Sequence, residues 1–202
     1  MAYVEASVRR RQLVAAARSA LAREGVARTS LRAVAAEAGV PLGTMQYVFP
    51  SKKELLRAVI EDVVDEIADV LEKATETDRG LEHAIRRGLA AFWKELVSGR
   101  TNLQVMQYEL TMYALRTPGQ EELARWQYER YAEVVAAWCQ QAATHAGETC
   151  AVPFARLARV IVASIDGLIL QHVCNPSPTR ARGDLDAVAD MVVALAAIAP
   201  AA

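Results

Sequence analysis

The sequence predicts an all-α protein of about nine helices, in which a small three-helix head precedes a longer, antiparallel helical body. Hydrophobic residues make up 53% of the 202 residues, whereas the chain has only ten glycines and seven prolines. Alanine is frequent, and apolar side chains recur at helical spacing rather than in the alternation typical of strands. These observations favour long helices over a loop-rich β protein.

The first predicted helix spans residues 9–24, where Leu13, Ala17 and Leu21 share one face. Gly25 ends it, because glycine enters the left-handed region without steric cost. Either Thr29 or Ser30 is placed to cap a short second helix.

The third predicted helix is also short, running from Leu42 to about Val48. Gly39 and Val40 form the tight turn before it, and Pro41 suits its first position. The expected core positions of this head are Val40, Met45, Val48 and Phe49. Two short helices joined by a glycine-containing turn form a helix-turn-helix, whose second helix can enter the major groove of DNA.

A fourth helix is predicted over residues 51–77, where Ser51 and Glu54 form a capping box. It would link a head domain, residues 1–50, to a body domain, residues 51–202. The later helices are predicted at 79–98, 102–116, 119–146, 153–173 and 184–198. Their candidate first residues include Asp78, Thr101 and Asp184.

Charge is unevenly distributed along the chain. Residues 1–55 hold nine basic and four acidic side chains, a net charge of +5, while the whole chain has a formal charge of −1. A basic head on an acidic body suits a protein that approaches a phosphate backbone with one end. A solvated cluster of charges is an equally simple interpretation of the charge alone.

Other classes of protein are poorly supported. The three cysteines, Cys139, Cys150 and Cys174, form no disulfide framework and, with His172, lack the spacing of a zinc site. No catalytic motif or cofactor signature stands out, so neither a cofactor nor a metal ion is predicted. The amino end has no apolar leader and no apolar run reaches about 18 residues, which predicts a cytoplasmic protein.

The segment from Arg9 to Leu55 resembles the DNA-binding domain of the TetR family of repressors. The resemblance rests on Gly25-Val26, Thr29-Ser30-Leu31, Val34-Ala35, Ala38-Gly39-Val40 and the run Gly43–Leu55. Residues 163–168 and Asn175-Pro176 are similar to the family's penultimate helix and its exit. The resemblance implies a homodimer that binds an operator in double-stranded DNA and releases it when a small effector binds.

The resemblance also implies which side chains contact DNA. Gln46 could recognise an adenine edge, Tyr47 more often contacts phosphate, and Leu42 could contact a thymine methyl group. The implied DNA-binding set is Thr29, Ser30, Pro41, Leu42, Gly43, Thr44, Gln46, Tyr47, Lys52 and Lys53. Gln46 replaces the family's usual aromatic residue and Val48 its usual histidine, so the operator sequence does not carry over from relatives.

The middle helices concentrate large, adaptable side chains, which are typical both of ligand pockets and of ordinary helical cores. Because the resemblance implies an effector site here, we expect a pocket for a hydrophobic or aromatic molecule. Its expected residues are Trp93, Met106, Gln107, Glu109, Met112, Tyr113, Trp126, Asp166 and His172.

The last two predicted helices have broad apolar faces that suit an obligate dimer, although packing within the chain could use part of them. On helix 153–173 and helix 184–198 respectively, these faces comprise Val160, Ile161, Ser164, Ile165, Leu168 and Ile169, and Leu185, Val188, Ala189, Val192 and Ala196.

Three hypotheses for function remain open. The first is a ligand-responsive repressor. The second is a helical protein that binds or converts a small molecule and uses its head for assembly. The third is a regulator without an effector, controlled by a protein partner. The +5 head argues against the second, whereas the sequence does not separate the first from the third.

Overall fold

The computed structural model describes residues 6–74 and 79–201, and over these residues the protein is all-α, as predicted. The helices are α1 (Ala6–Glu24), α2 (Leu31–Glu37), α3 (Leu42–Val48), α4 (Lys52–Ala74), α5 (Gly80–Phe92), α6 (Thr101–Arg116), α7 (Glu121–Ala146), α8 (Phe154–Cys174) and α9 (Pro178–Ala196). A π-helical turn, Trp93–Val97, extends α5. Two short antiparallel strands, β1 (Glu148–Thr149) and β2 (Ala199–Pro200), pair near the carboxyl end.

Most predicted helix ends agree with the structure to within a few residues, and the ninth helix is the exception. α9 begins at Pro178 instead of Asp184, because Ser177 caps it by accepting a hydrogen bond from the Arg180 N–H. A proline at the first helical position lacks only an N–H group that a helix leaves unpaired there. Gly183 therefore lies inside the helix. Asp78, the predicted start of the fifth helix, lies outside the described residues, as do residues 75–77 of the fourth.

The chain forms two compact units, each built from two separate segments. The first contains residues up to Val63 together with Asn102–Gln127, and the second contains Val64–Thr101 together with Tyr128–Ala202. Helices α4 and α7 each contribute residues to both. This grouping joins the head to α6, a partnership that the sequence did not predict.

The first unit has a compact apolar core around the head. Met45 and Phe49 are almost completely buried, as predicted, while Val40 and Val48 are half-buried. Ion pairs bind α1 to α4: Arg10 contacts Glu61 at 3.2 Å and Arg18 contacts Asp62 at 2.6 Å. The other largest fully buried side chains among the described residues of this unit are Leu13, Leu21, Leu55, Leu56, Ile60, Met106 and Leu110.

Two close approaches determine the packing of α5 in the second unit. A Cβ atom at Gly88 would lie 2.4 Å from Cη2 of Trp138, so only glycine fits beneath that ring. At the start of α5, the Leu81 N–H donates to Oε2 of Glu148 at 2.7 Å. A carboxylate at a helix N-terminus satisfies an unpaired N–H and interacts favourably with the helix dipole.

Candidate nucleic-acid interface

Local sequence signals build the helix-turn-helix in the first unit. Ser30 caps α2, because its Oγ accepts a hydrogen bond from the Ala33 N–H at 3.2 Å. Gly39 adopts φ +65° in the turn between α2 and α3, and Pro41 precedes α3 as its N-cap rather than as its first helical residue. The capping box at the start of α4 is present: the Ser51 N–H donates to Glu54 at 3.1 Å and the Glu54 N–H donates to Ser51 Oγ at 3.2 Å.

Helix α3 presents a solvent-facing surface opposite its buried Met45. Tyr47 is 89% exposed and Gln46 is also exposed. Neither side chain forms a hydrogen bond with a described residue. At the start of α3, Pro41 and Gly43 are exposed and Leu42 and Thr44 are half-buried. An exposed tyrosine and glutamine side by side on a helix can reach phosphates and base edges without first breaking internal contacts.

Two of the residues predicted to anchor phosphates donate hydrogen bonds to carbonyls of the protein's own backbone. Thr29 is 3% exposed, and its Oγ1 donates to the Gly25 carbonyl at 2.9 Å. The Lys52 ammonium donates to the Val26 carbonyl at 2.5 Å. Ser30 and Lys53 are exposed, although Ser30 uses its Oγ as a cap. We therefore omit Thr29 from the predicted contact set, whereas the half-buried Lys52 remains a predicted contact.

Side chains from two other helices form hydrogen bonds with the backbone of Val26, in the loop between α1 and α2. Its N–H donates to Oε2 of Glu109 on α6 at 3.0 Å, and its carbonyl accepts from Lys52 on α4. The Lys52 ammonium also lies 4.7 Å from the centre of the Tyr113 ring. Burial lowers the pKa of Lys52. We call this arrangement the Val26 clamp.

Glu109 is one of the predicted pocket residues. Its carboxylate accepts a hydrogen bond from the loop that leads into the helix-turn-helix. It lines a cleft of about 470 Å³ together with Met112 and Tyr113 on α6 and residues 24–28 of the loop. Three predicted pocket residues therefore lie beside the DNA-binding head.

Arginines of the head are partly neutralised by neighbouring carboxylates. Arg23 on α1 contacts Glu37 on α2 at 2.8 Å, and this guanidinium lowers the pKa of that carboxyl group. Arg32, by contrast, is exposed at the second position of α2 and pairs with no described carboxylate. The sequence analysis did not single out Arg32, although this residue lies two positions after the predicted cap Ser30.

The remaining predicted pocket residues lie in several environments. Trp93 and His172 meet in the second unit with their ring centres 5.2 Å apart, edge to face, and both line a cavity of about 430 Å³. Met106 is buried in the first unit. The Trp126 ring lies 4.3 Å beneath the Arg57 guanidinium. Gln107 is half-buried.

Asp166 on α8 is mostly enclosed in the second unit. Burial raises the pKa of Asp166, and a hydrogen bond from Tyr128 acts in the opposite direction.

The sequence analysis did not single out a second polar pair, which is buried between α6 and α7 in the first unit. There, Thr111 Oγ1 donates to Oε1 of Gln127 at 3.2 Å. Such pairs give no sequence signal beyond a polar residue among apolar ones.

The predicted dimer faces of α8 and α9 are only partly available. Ile161, Ile165 and Ile169 are buried within the second unit, so they belong to its own core. The same correction applies to Ala189, Val192 and Ala196 on α9. Val160, Ser164, Leu168, Leu185 and Val188 are half-buried.

The exposed sides of these helices combine small and apolar residues with charged side chains, among them Arg156, Arg159, Arg182 and Asp190. Leu170 is 50% exposed and Met191 is 49% exposed. The exposed apolar residues and glycines are Ala155, Ala163, Gly167, Leu170 and Cys174 on α8, and Pro178, Gly183, Ala187, Met191 and Ala194 on α9. By length and composition α8 could also span a membrane, but one such helix is weak evidence.

Within the described ranges, no three histidine, cysteine, aspartate or glutamate side chains come together as a metal site. What the geometry does assemble is a predominantly helical protein in which a tight turn joins α2 to a short helix, α3, with one solvent-facing side near the amino end. These features define the class of helix-turn-helix transcriptional regulators.

Comparison with known families makes the assignment specific. Residues 13–59 match the model of the bacterial regulatory proteins of the tetR family, and residues 82–197 match the tetracyclin repressor-like C-terminal domain. The chain belongs to the TetR family of transcriptional regulators, which confirms the resemblance predicted from residues 9–55.

The similar proteins align with nearly the whole chain. The nicotine-responsive transcriptional repressor HdnoR of Paenarthrobacter nicotinovorans is 28% identical over 182 residues, covering 90% of this chain and 92% of the relative. The regulator SCO7518 of Streptomyces coelicolor A3(2) is 28% identical, with a TM-score of 0.68 over 91% of this chain and 98% of its own. The multidrug binding protein EbrR, solved with ethidium, is 26% identical, with a TM-score of 0.65 over 93% and 98% of the two chains.

Proposed function

We propose that this regulator is a ligand-responsive repressor, which binds a palindromic operator as a homodimer and leaves it when a small hydrophobic or aromatic effector binds. The observation that carries the DNA-binding part is the free surface of α3, where Gln46 and Tyr47 are exposed and form no hydrogen bonds with described residues. We assign the protein to the cytoplasm, where its DNA is, and give it no catalytic role.

The proposed dimer uses the exposed small and apolar residues of α8 and α9. A Cβ atom added to Gly167 or Gly183 would meet no other atom within 4 Å, so a second helix could approach each backbone closely. Burying half-exposed side chains such as Leu170 and Met191 contributes roughly 25 cal/mol per Å² of apolar surface. A two-fold axis would give the complex two α3 helices and hence a palindromic site.

The proposed effector class is supported by the aromatic content of the body and by the similar proteins. HdnoR responds to nicotine and EbrR was solved with ethidium, and both of these ligands are aromatic compounds. In this chain, Trp93 and His172 line a cavity whose volume of about 430 Å³ lies within the range of small-molecule sites.

The proposed coupling to DNA runs through the Val26 clamp. Lys52 on α4 and Glu109 on α6 both hold the backbone of the loop that joins α1 to α2. A displacement of α6 relative to the head would therefore act on the helix-turn-helix directly. The head is thus contacted from α6 as well as from α4, and each of these helices offers a route for coupling.

The experiment that tests the function is an in vitro selection of bound fragments from sheared DNA of the source genome, at moderate salt. We expect enrichment of a palindrome close to a gene whose product acts on the effector. A folded, dimeric protein that enriches no sequence would contradict the proposal. Enrichment that no small molecule reverses would favour the third hypothesis, control by a protein partner.

Within that experiment, we expect Gln46→Ala to alter preference at one base pair by about 1–3 kcal/mol, because a bidentate contact to a base edge would be lost. Repeating the selection with the variant measures the change position by position. Gln140→Ala, which removes an exposed glutamine from α7, serves as the matched control and should leave the motif unchanged. An unaltered motif in Gln46→Ala would remove Gln46 from the recognition set.

A further inference from the structure

The second unit contains a cavity whose chemistry narrows the class of ligand. We call it the α5–α9 cavity: it has a volume of about 430 Å³ and is lined from the end of α5 and its π-helical turn, from the end of α8 and from the start of α9. Trp93 and His172 lie on one part of its wall, and Lys94, Arg182 and Asp186 supply its charges.

The π-helical turn brings two of these residues to the cavity. Its wide geometry is visible in the Ser98 N–H, which donates to the carbonyl of Trp93, five residues earlier, at 2.9 Å. Trp93 and Lys94 are the first two residues of this turn and both line the cavity. Single π-helical turns inside helices are rare and are frequent at functional sites.

The aromatic wall is suited to a flat ring. Trp93 and His172 are already in edge-to-face contact, with ring centres 5.2 Å apart. Leu185 adds an apolar side chain from α9. The buried Nδ1 of His172 has no hydrogen-bond partner among the described residues, and such buried polar atoms usually acquire one.

The charged groups of the cavity favour an anion. Arg182 pairs with no carboxylate of the described residues, so its guanidinium is available for a bidentate contact. Lys94 contacts Glu95 at 3.0 Å, but both side chains are largely exposed and such pairs contribute little. Among the described residues that line the cavity, Asp186 is the one carboxylate, against the two cations Lys94 and Arg182.

We infer that the α5–α9 cavity binds a small aromatic carboxylic acid, with its ring against Trp93 and His172 and its carboxylate on Arg182 and Lys94. The inference rests on the proposed function only in taking this ligand to be the effector. Because the cavity includes the start of α9, a bound acid would fix the end of a helix that the proposed dimer uses.

The test compares three probes that share a ring system and differ in charge: 1-naphthoate, 1-naphthamide and 1-naphthylmethylamine. Calorimetric titration into the full-length protein, without DNA, measures each affinity. We expect 1-naphthoate to bind at least about tenfold more tightly than the amide, since a charge-assisted contact is stronger than a neutral one. The amine should bind more weakly than either.

Arg182→Gln tests the assigned carboxylate contact, with Arg87→Gln as the control for loss of an exposed arginine outside the cavity. Arg182→Gln should reduce the preference for the acid over the amide to within about twofold, because glutamine keeps a donor but loses the charge. Arg87→Gln should retain the full preference. Thermal melts establish that both variants fold.

Equal binding of all three probes, the strongest binding by the amine, or no binding at all would each overturn the inference. So would an acid preference that survives in Arg182→Gln. Release of a selected operator fragment by 1-naphthoate is measured separately. A protein that binds the operator but not the acid would refute this inference while the repressor proposal stands, and the opposite result would refute the repressor proposal alone.

Discussion

Asp166 shows how packing in the folded protein changes the chemistry of a single side chain. We predicted it as a ligand-orienting group, and the structure gives it an internal partner, Tyr128, within the second unit. Burial favours the neutral acid over the carboxylate, so the folded protein binds this proton more tightly than the unfolded chain does.

We expect Asp166→Asn to stabilise the protein at neutral pH and to lose that advantage in acid. The folded pKa of Asp166 is raised above its ordinary value of 3.8. The stability from this group is therefore complete below pH 3.8 and is lost as the pH rises through the raised pKa. Thermal melts of both proteins between pH 4 and pH 7 measure the difference, which should narrow on acidification. A constant difference across this range would contradict the assignment, and Asp65→Asn controls for removing an exposed carboxylate.

The sequence could not predict the role of a residue whose partner lies far away along the chain. Glu109 lies 83 positions from Val26, and Lys52 lies 26 positions from it. Nothing in a local pattern distinguishes a glutamate that grips a backbone amide from one that faces a ligand. Thr29 was similarly ambiguous, because a hydroxyl beside a cap can face either solvent or the preceding turn.

At the scale of helices, the predictions succeeded where the signal was local. Ser30 caps α2, and Ser51 with Glu54 forms the predicted capping box, since these bonds join residues three apart. α9 was predicted to start at Asp184 instead of Pro178, because the capping pair Ser177-Pro178 was overlooked. The cap of α5 by Glu148 was not predictable, because it comes from 67 positions away.

The Val26 clamp is the feature of this scale that mutation can test most directly. We expect Glu109→Ala to lower the free energy of unfolding by about 1–3 kcal/mol, because the part-buried Val26 N–H would lose its partner. Urea denaturation measures the change, and hydrogen exchange at Val26 should accelerate. Glu109→Gln retains an acceptor oxygen and should recover most of the loss. If alanine and glutamine behave alike, the hydrogen bond is not what matters at this position.

For the whole molecule, composition predicted the helical fold and the head motif predicted the family. Neither composition nor the motif could predict the grouping into two packed units, because assigning α6 to the head requires contacts between residues far apart in the chain. The buried and exposed sides of α8 were likewise indistinguishable in a helix that is apolar nearly all round. Only packing separates Ile161, Ile165 and Ile169 from the exposed Leu170.

We expect Leu170→Glu to convert the proposed dimer into a monomer and to abolish binding to a palindromic operator, since a buried unpaired carboxylate opposes association. Light scattering after size-exclusion chromatography measures the mass. Leu115→Glu places the same charge at an exposed leucine of α6, 52% exposed, and should leave the mass unchanged. A Leu170→Glu protein that still has twice the chain mass would locate the interface elsewhere.

The pairing of β1 with β2 lets residues 199–201 stabilise segments that lie far from them in the sequence. Ala199 lies opposite Thr149 and Pro200 opposite Glu148, and the Ala201 N–H donates to the Gly147 carbonyl at 2.7 Å. Glu148 in turn caps α5. A premature stop codon before Ala199 would thus do more than shorten the polypeptide. The turn after α7 would lose its backbone partners, and Glu148 would hold the start of α5 less firmly. We therefore expect frameshifts that remove these residues to destabilise the protein.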